Sequence, residues 1–127
     1  MKQIGLIGGI GCLSTAIYYK TITRHITQRL GHGHTGYVII YSIDEFDILG
    51  AMQRQEWDRV AQILITAGKS LERAGVDFLL ICSNLFNKME PIVRQSLSVP
   101  VIHILLPICE EINRSKFRKI GLIGTQG

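Results

Sequence analysis

The stretch "VDFLLICSNLFNK", residues 76–88, decides the fold. From Val76 to Cys82 it is apolar at every position except Asp77, with no alternation between apolar and polar residues. A strand of that kind is buried on both faces, the condition of a parallel sheet covered by helices above and below. After Ile81 the character changes: Cys82, Ser83 and Asn84 are small or polar and open a turn into the next helix.

Similar strands recur on either side. "QIGLIG" (3–8) ends in a glycine pair, "YVIIYSID" (37–44) is almost continuously apolar, and "VPVIHIL" (99–105) and "KIGLIG" (119–124) complete the series. The segments between them carry helical periodicity. From Thr15 to Leu30 the apolar residues Ala16, Ile17, Tyr19, Ile22, Ile26 and Leu30 recur at three and four, with Ser14 or a neighbour as cap and Gly31 as stop. Between Gln55 and Ala74, Trp57, Val60, Ile63, Leu64, Ala67 and Leu71 form one side of a second helix closed by Gly75. Residues 88–97 read as a short helix with Pro91 in its first turn, and 107–115 as a further helical segment. Alternating strands and helices imply an α/β fold, a doubly wound parallel sheet of four to five strands. In such sheets ligands bind where the carboxyl ends of the strands converge. That edge collects Gly8–Ser14, Ser42–Asp47, Cys82–Lys88, His103 and Thr125.

The totals limit what the chain can be. Its 127 residues are 46% hydrophobic and 19% charged, enough for one self-supporting domain and too apolar for disorder. No apolar run reaches the roughly 18 to 20 residues that span a bilayer. Glycines interrupt "MKQIGLIGGIG" and deny it the apolar core of a leader, so a cytoplasmic location and no membrane partner are expected. Cys12, Cys82 and Cys109 have no paired spacing, which argues against a zinc site or a disulfide framework. The net charge of +4 is scattered, and the cluster Arg114, Lys116, Arg118 and Lys119 lacks interleaved aromatics; it reads as a solvated helix end, with no nucleic-acid partner.

Three local patterns invite chemistry. "GIGCLS" (9–14) resembles a dinucleotide loop, but the acidic residue expected roughly 20 positions on has only Asp44 as candidate, more than thirty beyond Gly11. Small residues there suit the approach of a carboxylate to amides at a helix start. His32 and His34 lie at the far end of the first helix without a third ligand, so no metal is expected. Cys82 ends a buried strand where a helix begins. A dipole there can draw its pKa toward neutrality, while an inert buried thiol is the alternative. His103 is its nearest candidate partner, and Cys12 opens on the same edge if strands one and three are neighbours.

Taken together, "IGLIGGIGCLSTAIYY", "YSIDEFDIL", Gln53 with Trp57, "LERAGVDFLLICSNLFNKM" and "VPVIHI" resemble the amino-terminal half of the cofactor-independent aspartate/glutamate racemase family. The resemblance implies a flavodoxin-like half of a two-domain fold, each half supplying one cysteine to a cleft, and commonly a dimer. It also implies a division into an amino-terminal domain, 1–104, and a linker helix with the first strand of a truncated second domain, 105–127. The closing "RKIGLIGTQG" repeats six of ten residues of the opening "KQIGLIGGIG".

The implied activity is two-base proton transfer at the α-carbon of an acidic amino acid, without a cofactor. Cys82 corresponds to one catalytic thiol; Ser83, Asn84 and Leu85 fall in the segment binding the substrate's α-carboxylate and ammonium. Gln53 matches a substrate-contacting glutamine, and Ile10 lies in the loop beneath the ligand. Leu85 and Asn87 depart from the family's Cys-Thr-Asn-Thr-x-His pattern, which favours an alternative: an inactive racemase-like domain binding a small carboxylate or amino acid. With the second cysteine missing, the chain alone is expected to be inactive. It is also expected to be a homodimer or to self-associate, by exchange of residues 105–127 between copies.

Overall fold

In the computed structural model, which describes residues 1–123, β1 (Gln3–Gly8) is the spine of the molecule. It pairs in parallel with β2 (Tyr37–Ser42) on one side and β3 (Phe78–Ile81) on the other, and β3 pairs in parallel with β4 (Val101–Ile102). The order β2-β1-β3-β4 makes strands one and three neighbours, as the doubly wound reading expects. Leu6 and Ile7, pointing to opposite faces, are both fully buried. The central position of β1 thus explains its unbroken apolar run.

The two faces are unequal. On one, α3 (Trp57–Arg73) lays Val60, Leu64, Ala67 and Leu71 against Ile7, Leu79, Ile81 and Val101 to form the core. α2 (Glu45–Gln53) adds Ile48 and Ala51, and α4 (Glu90–Gln95), entered through a 3₁₀ turn at Leu85–Met89, adds Val93. On the opposite face, α1 (Cys12–Leu30) crosses β1 with a single buried residue, Thr15. Its supposed core-facing residues Ile17, Tyr19 and Leu30 are exposed. α5 (Leu105–Ser115) buries no residue at all.

Several expected boundaries move, each for a local reason. α1 begins at Cys12 because Gly11, at φ 61°, turns the chain straight into the helix; Ser14 caps nothing. β2 stops at Ser42, and the expected loop beyond it contains α2, whose start is capped by the Asp44 carboxylate accepting from the Phe46 N–H at 3.0 Å. β3 and β4 are shorter than the apolar runs that contain them. The chain leaves the ladder at His103 because the Ile104 N–H turns to the Asn87 Oδ1 at 3.4 Å, and α5 follows at Leu105, before the expected start at 107. The expected helix over 88–97 divides into the 3₁₀ turn and α4. The fifth strand is corrected: residues 119–123 form none, and Leu122 and Ile123 are almost fully exposed. Apolar character does not make a strand without a ladder to join. Gly124 and Thr125 lie outside the described residues.

Candidate functional site

The carboxyl ends of β1, β2 and β3 are sewn together by backbone hydrogen bonds. The Ile43 N–H donates to the Gly8 carbonyl and the Cys82 N–H to the Ile7 carbonyl, each at 2.9 Å. Gly9 then turns at φ +84°, and a Cβ on it would collide with the Ile43 carbonyl oxygen, so only glycine serves. Its N–H donates to the buried Thr15 Oγ1 at 3.0 Å.

The loop after β1 is partly satisfied from within, contrary to the expectation that its amides await an incoming carboxylate. The Gly11 N–H donates to the Glu45 Oε1 at 3.2 Å, a contact across 34 residues that no local pattern announces. The first turn of α1 beyond it has no side-chain cap and no acidic residue. Those N–H groups, which a helix cannot satisfy itself, face the same edge.

Cys82 stands beside Ile7 and Gly8, and its side chain is completely buried. Burial pushes the thiol pKa up to about 12. That direction favours the alternative of a buried, protonated thiol over one drawn toward neutrality at a helix start. Tyr18 is the neighbour that the sequence did not disclose. Its hydroxyl pKa is raised, first by burial and then by the negative charge Cys82 would carry. Cys82 and Cys12 are both free, Cys12 being exposed at the start of α1.

The turn after Cys82 is held by Asn87, itself 2% exposed. Its Nδ2 donates to the Ile81 carbonyl at 2.9 Å and the Ser83 carbonyl at 2.7 Å, and its Oδ1 accepts from the Ile104 N–H. Both ends of the amide are thus engaged, and the side chain clamps the turn after β3 to the start of α5. Ser83 is half-buried, Asn84 is exposed at the mouth, and Leu85 packs partly on the core. A hollow of about 310 Å³ lies beyond, lined by Asn84, Asn87, Lys88, His103, Leu105 and Ile108. The His103 Nδ1 accepts from the Leu105 N–H at 3.2 Å, which leaves its other nitrogen as the donor. Lys88 sits over the Trp57 ring, 3.7 Å from the centroid.

The remaining sequence candidates divide. Ile10 is 5% exposed and belongs to the core, so its side chain packs and only its backbone can belong to a ligand loop. Gln53 is exposed at the last position of α2. His103 reaches the mouth beside Asn84, whereas His32 and His34 lie exposed in the turn after α1.

A family model described as Asp/Glu/Hydantoin racemase matches residues 7–127. Among solved structures, a Yersinia pestis protein described as a candidate Asp/Glu racemase superposes with a TM-score of 0.89 at 32% identity, covering 91% of this chain and 50% of that one. An aspartate racemase homologue from Pyrococcus horikoshii OT3 superposes at 0.79 and 31% identity, with the same two coverages. The broad specificity amino-acid racemase RacX of Bacillus subtilis (strain 168) is 25% identical over 127 residues, 98% of this chain and 55% of that protein. The chain therefore spans about half the length of these relatives.

Proposed function

Because the chain belongs to the Asp/Glu/hydantoin racemase family, we propose that it is one flank of an amino-acid racemase, an isomerase acting on acidic amino acids. Inverting an α-carbon requires one group that removes the proton and another, on the opposite face, that returns it. Cys82 is the group this chain offers. With its pKa at about 12 it rests as the protonated thiol, the donor of the pair. The other thiols, Cys12 and Cys109, are exposed and lie outside the β3 turn. The reading includes proton transfer by protein groups alone, without a cofactor, and a cytoplasmic location.

The observation that carries the reading is the family match over residues 7–127, a span in which Cys82 stands where β1 and β3 end together. Asn84 at the mouth supplies an amide for the substrate's carboxylate, with Ser83 beside it. Uncapped amides of α1 complement negative charge developing on that carboxylate. Gln53 and the backbone of Ile10 complete the set, and Leu85 narrows it. The homodimer expected of the family belongs to the same proposal.

A second reading has its own observation. The Cys82 sulfur is sealed in this conformation, and a sealed, protonated thiol suits a domain that binds a small carboxylate without turning it over. Incubating the chain with L-aspartate or L-glutamate in deuterium oxide, followed by chiral chromatography and mass analysis, separates the two. The expected result is no inversion by this chain alone. Deuterium at the α-carbon with retained configuration, rising with pH as the Cys82 thiolate forms to remove the proton and lost in Cys82→Ser, supports a working flank; binding without exchange at any pH supports the second reading. Inversion at an enzymatic rate would overturn the one-flank argument.

A further inference from the structure

We infer that Lys88 selects an acidic amino acid over its neutral amide, by presenting an ammonium group to the carboxylate at the end of the substrate's side chain; the inference rests on the reading of the carboxyl edge as an amino-acid site. Asn84 belongs to both places. It stands at the mouth of the turn after Cys82, and it also lines the hollow of about 310 Å³ between that turn and the start of α5. A substrate whose α-carboxylate is held at Asn84 has this hollow open to its side chain.

The hollow is one-sided in charge. Lys88 and His103 are the ionisable residues that line it, and no aspartate or glutamate joins them. Asn87 engages its amide wholly with the Ile81, Ser83 and Ile104 backbone, so it has no donor left for a ligand. The three donors that remain are the Asn84 amide, the Lys88 ammonium and the His103 ring. The Leu105 N–H holds the His103 Nδ1 as an acceptor at 3.2 Å, which fixes Nε2 as the N–H. Donors grouped without an anion suit a carboxylate, whose two oxygens accept and do not donate.

An unpaired lysine at a surface is ordinary, and Lys88 differs in being held. Among the described residues the ion pairs join Arg54 to Glu56, Arg94 to Glu90 and Arg114 to Glu111, and none involves Lys88. Its ammonium lies instead over the Trp57 ring, 3.7 Å from the centroid. The ring face attracts the cation and limits the wandering of a flexible stem, yet it carries no formal charge, so a carboxylate competes for the same ammonium. The side-chain amide of glutamine or asparagine brings no such charge and turns N–H donors toward a wall of donors, which is how a site rejects a ligand of the same shape. All three donors precede α5: β3, the 3₁₀ turn and β4 set their grouping, whatever further chain borders the hollow.

The test titrates the full 127-residue chain with L-glutamate against L-glutamine and L-aspartate against L-asparagine, with affinities read from amide shifts by NMR. In wild type each acid is expected to bind about ten-fold more tightly than its amide, the worth of one charge-assisted contact. Lys88→Met, at an exposed position, should bring the ratio near one by weakening the acids alone, and Lys88→Arg, which keeps the charge, should retain most of it. Trp57 is the single tryptophan, and its emission in wild type should change as L-glutamate saturates and stay constant with L-glutamine. Equal affinity for acid and amide in wild type, a preference that survives Lys88→Met, or the same change of emission with both ligands overturns the inference and leaves the amino-acid site standing. Binding of neither ligand removes the amino-acid reading, and the inference with it.

Discussion

At the scale of the residue, Cys82 concentrates what the sequence discloses and what it hides. Its place at the end of an apolar strand is legible, because the run Val76–Cys82 has no alternation. Its protonation is not: a dipole and burial pull in opposite directions, and only the packing of Tyr18 and the neighbouring strands decides between them. The consequence for pH follows. A thiol whose folded pKa lies above its ordinary value near 9.0 keeps its proton when the unfolded chain has lost it. Its contribution to stability is therefore complete below pH 9 and declines as the pH climbs toward about 12. Urea titrations at pH 8 and pH 10 should show wild type losing more stability than Cys82→Ala between the two. Tyr18 adds a loss of the same sign near and above its own ordinary value, and that loss is common to both proteins. An equal loss in the two would remove the buried-thiol account.

At the scale of the element, the long and strongly periodic pieces are legible and the short ones are not. α3 announces itself through four buried apolar residues spaced three and four apart, Val60, Leu64, Ala67 and Leu71. α2 escapes notice because nine residues bury only Ile48 and Ala51, although Asp44 before Glu45 and Asp47 is the cap signal that could have found it. β4 is over-read because "VPVIHIL" looks like a strand throughout, while a tertiary bond from Asn87 pulls the chain out of the ladder after two residues. The same side chain joins the end of β3 to the start of α5, so its loss should be felt in both. Asn87→Ala strips the buried Ile81 carbonyl of a donor and is expected to cost about 1–3 kcal/mol. Hydrogen exchange should locate the damage, with protection falling further at Ile104 and Leu105 than along α3. Uniform loss of protection, or none, would refute the clamp.

At the scale of the whole molecule, the asymmetry of the two faces links fold to function. One face of the sheet is sealed by α2, α3 and α4, which lets the strand ends of β1, β2 and β3 meet in a fixed geometry. The other carries only α1 among the described residues, and beneath it sit Tyr18, Cys82 and an apolar hollow. The architecture was readable from alternating strands and helices, and the region of the site from the residues that end each strand. Glu45 on Gly11, separated by 34 residues, and Tyr18 near Cys82 were not, because contacts of that range leave no spacing to read.

In the proposed function the carboxyl edge around Cys82 receives an acidic amino acid. Titrating the ¹⁵N-labelled chain with L-aspartate and L-glutamate, and following backbone and side-chain amides by two-dimensional NMR, tests it directly. Saturable shifts confined to residues 9–14, Gln53 and 82–85 are expected, with the Asn84 side-chain amide among the largest and the response lost in Asn84→Ala. Shifts scattered over the basic surface of α1, or none at millimolar ligand, would contradict it.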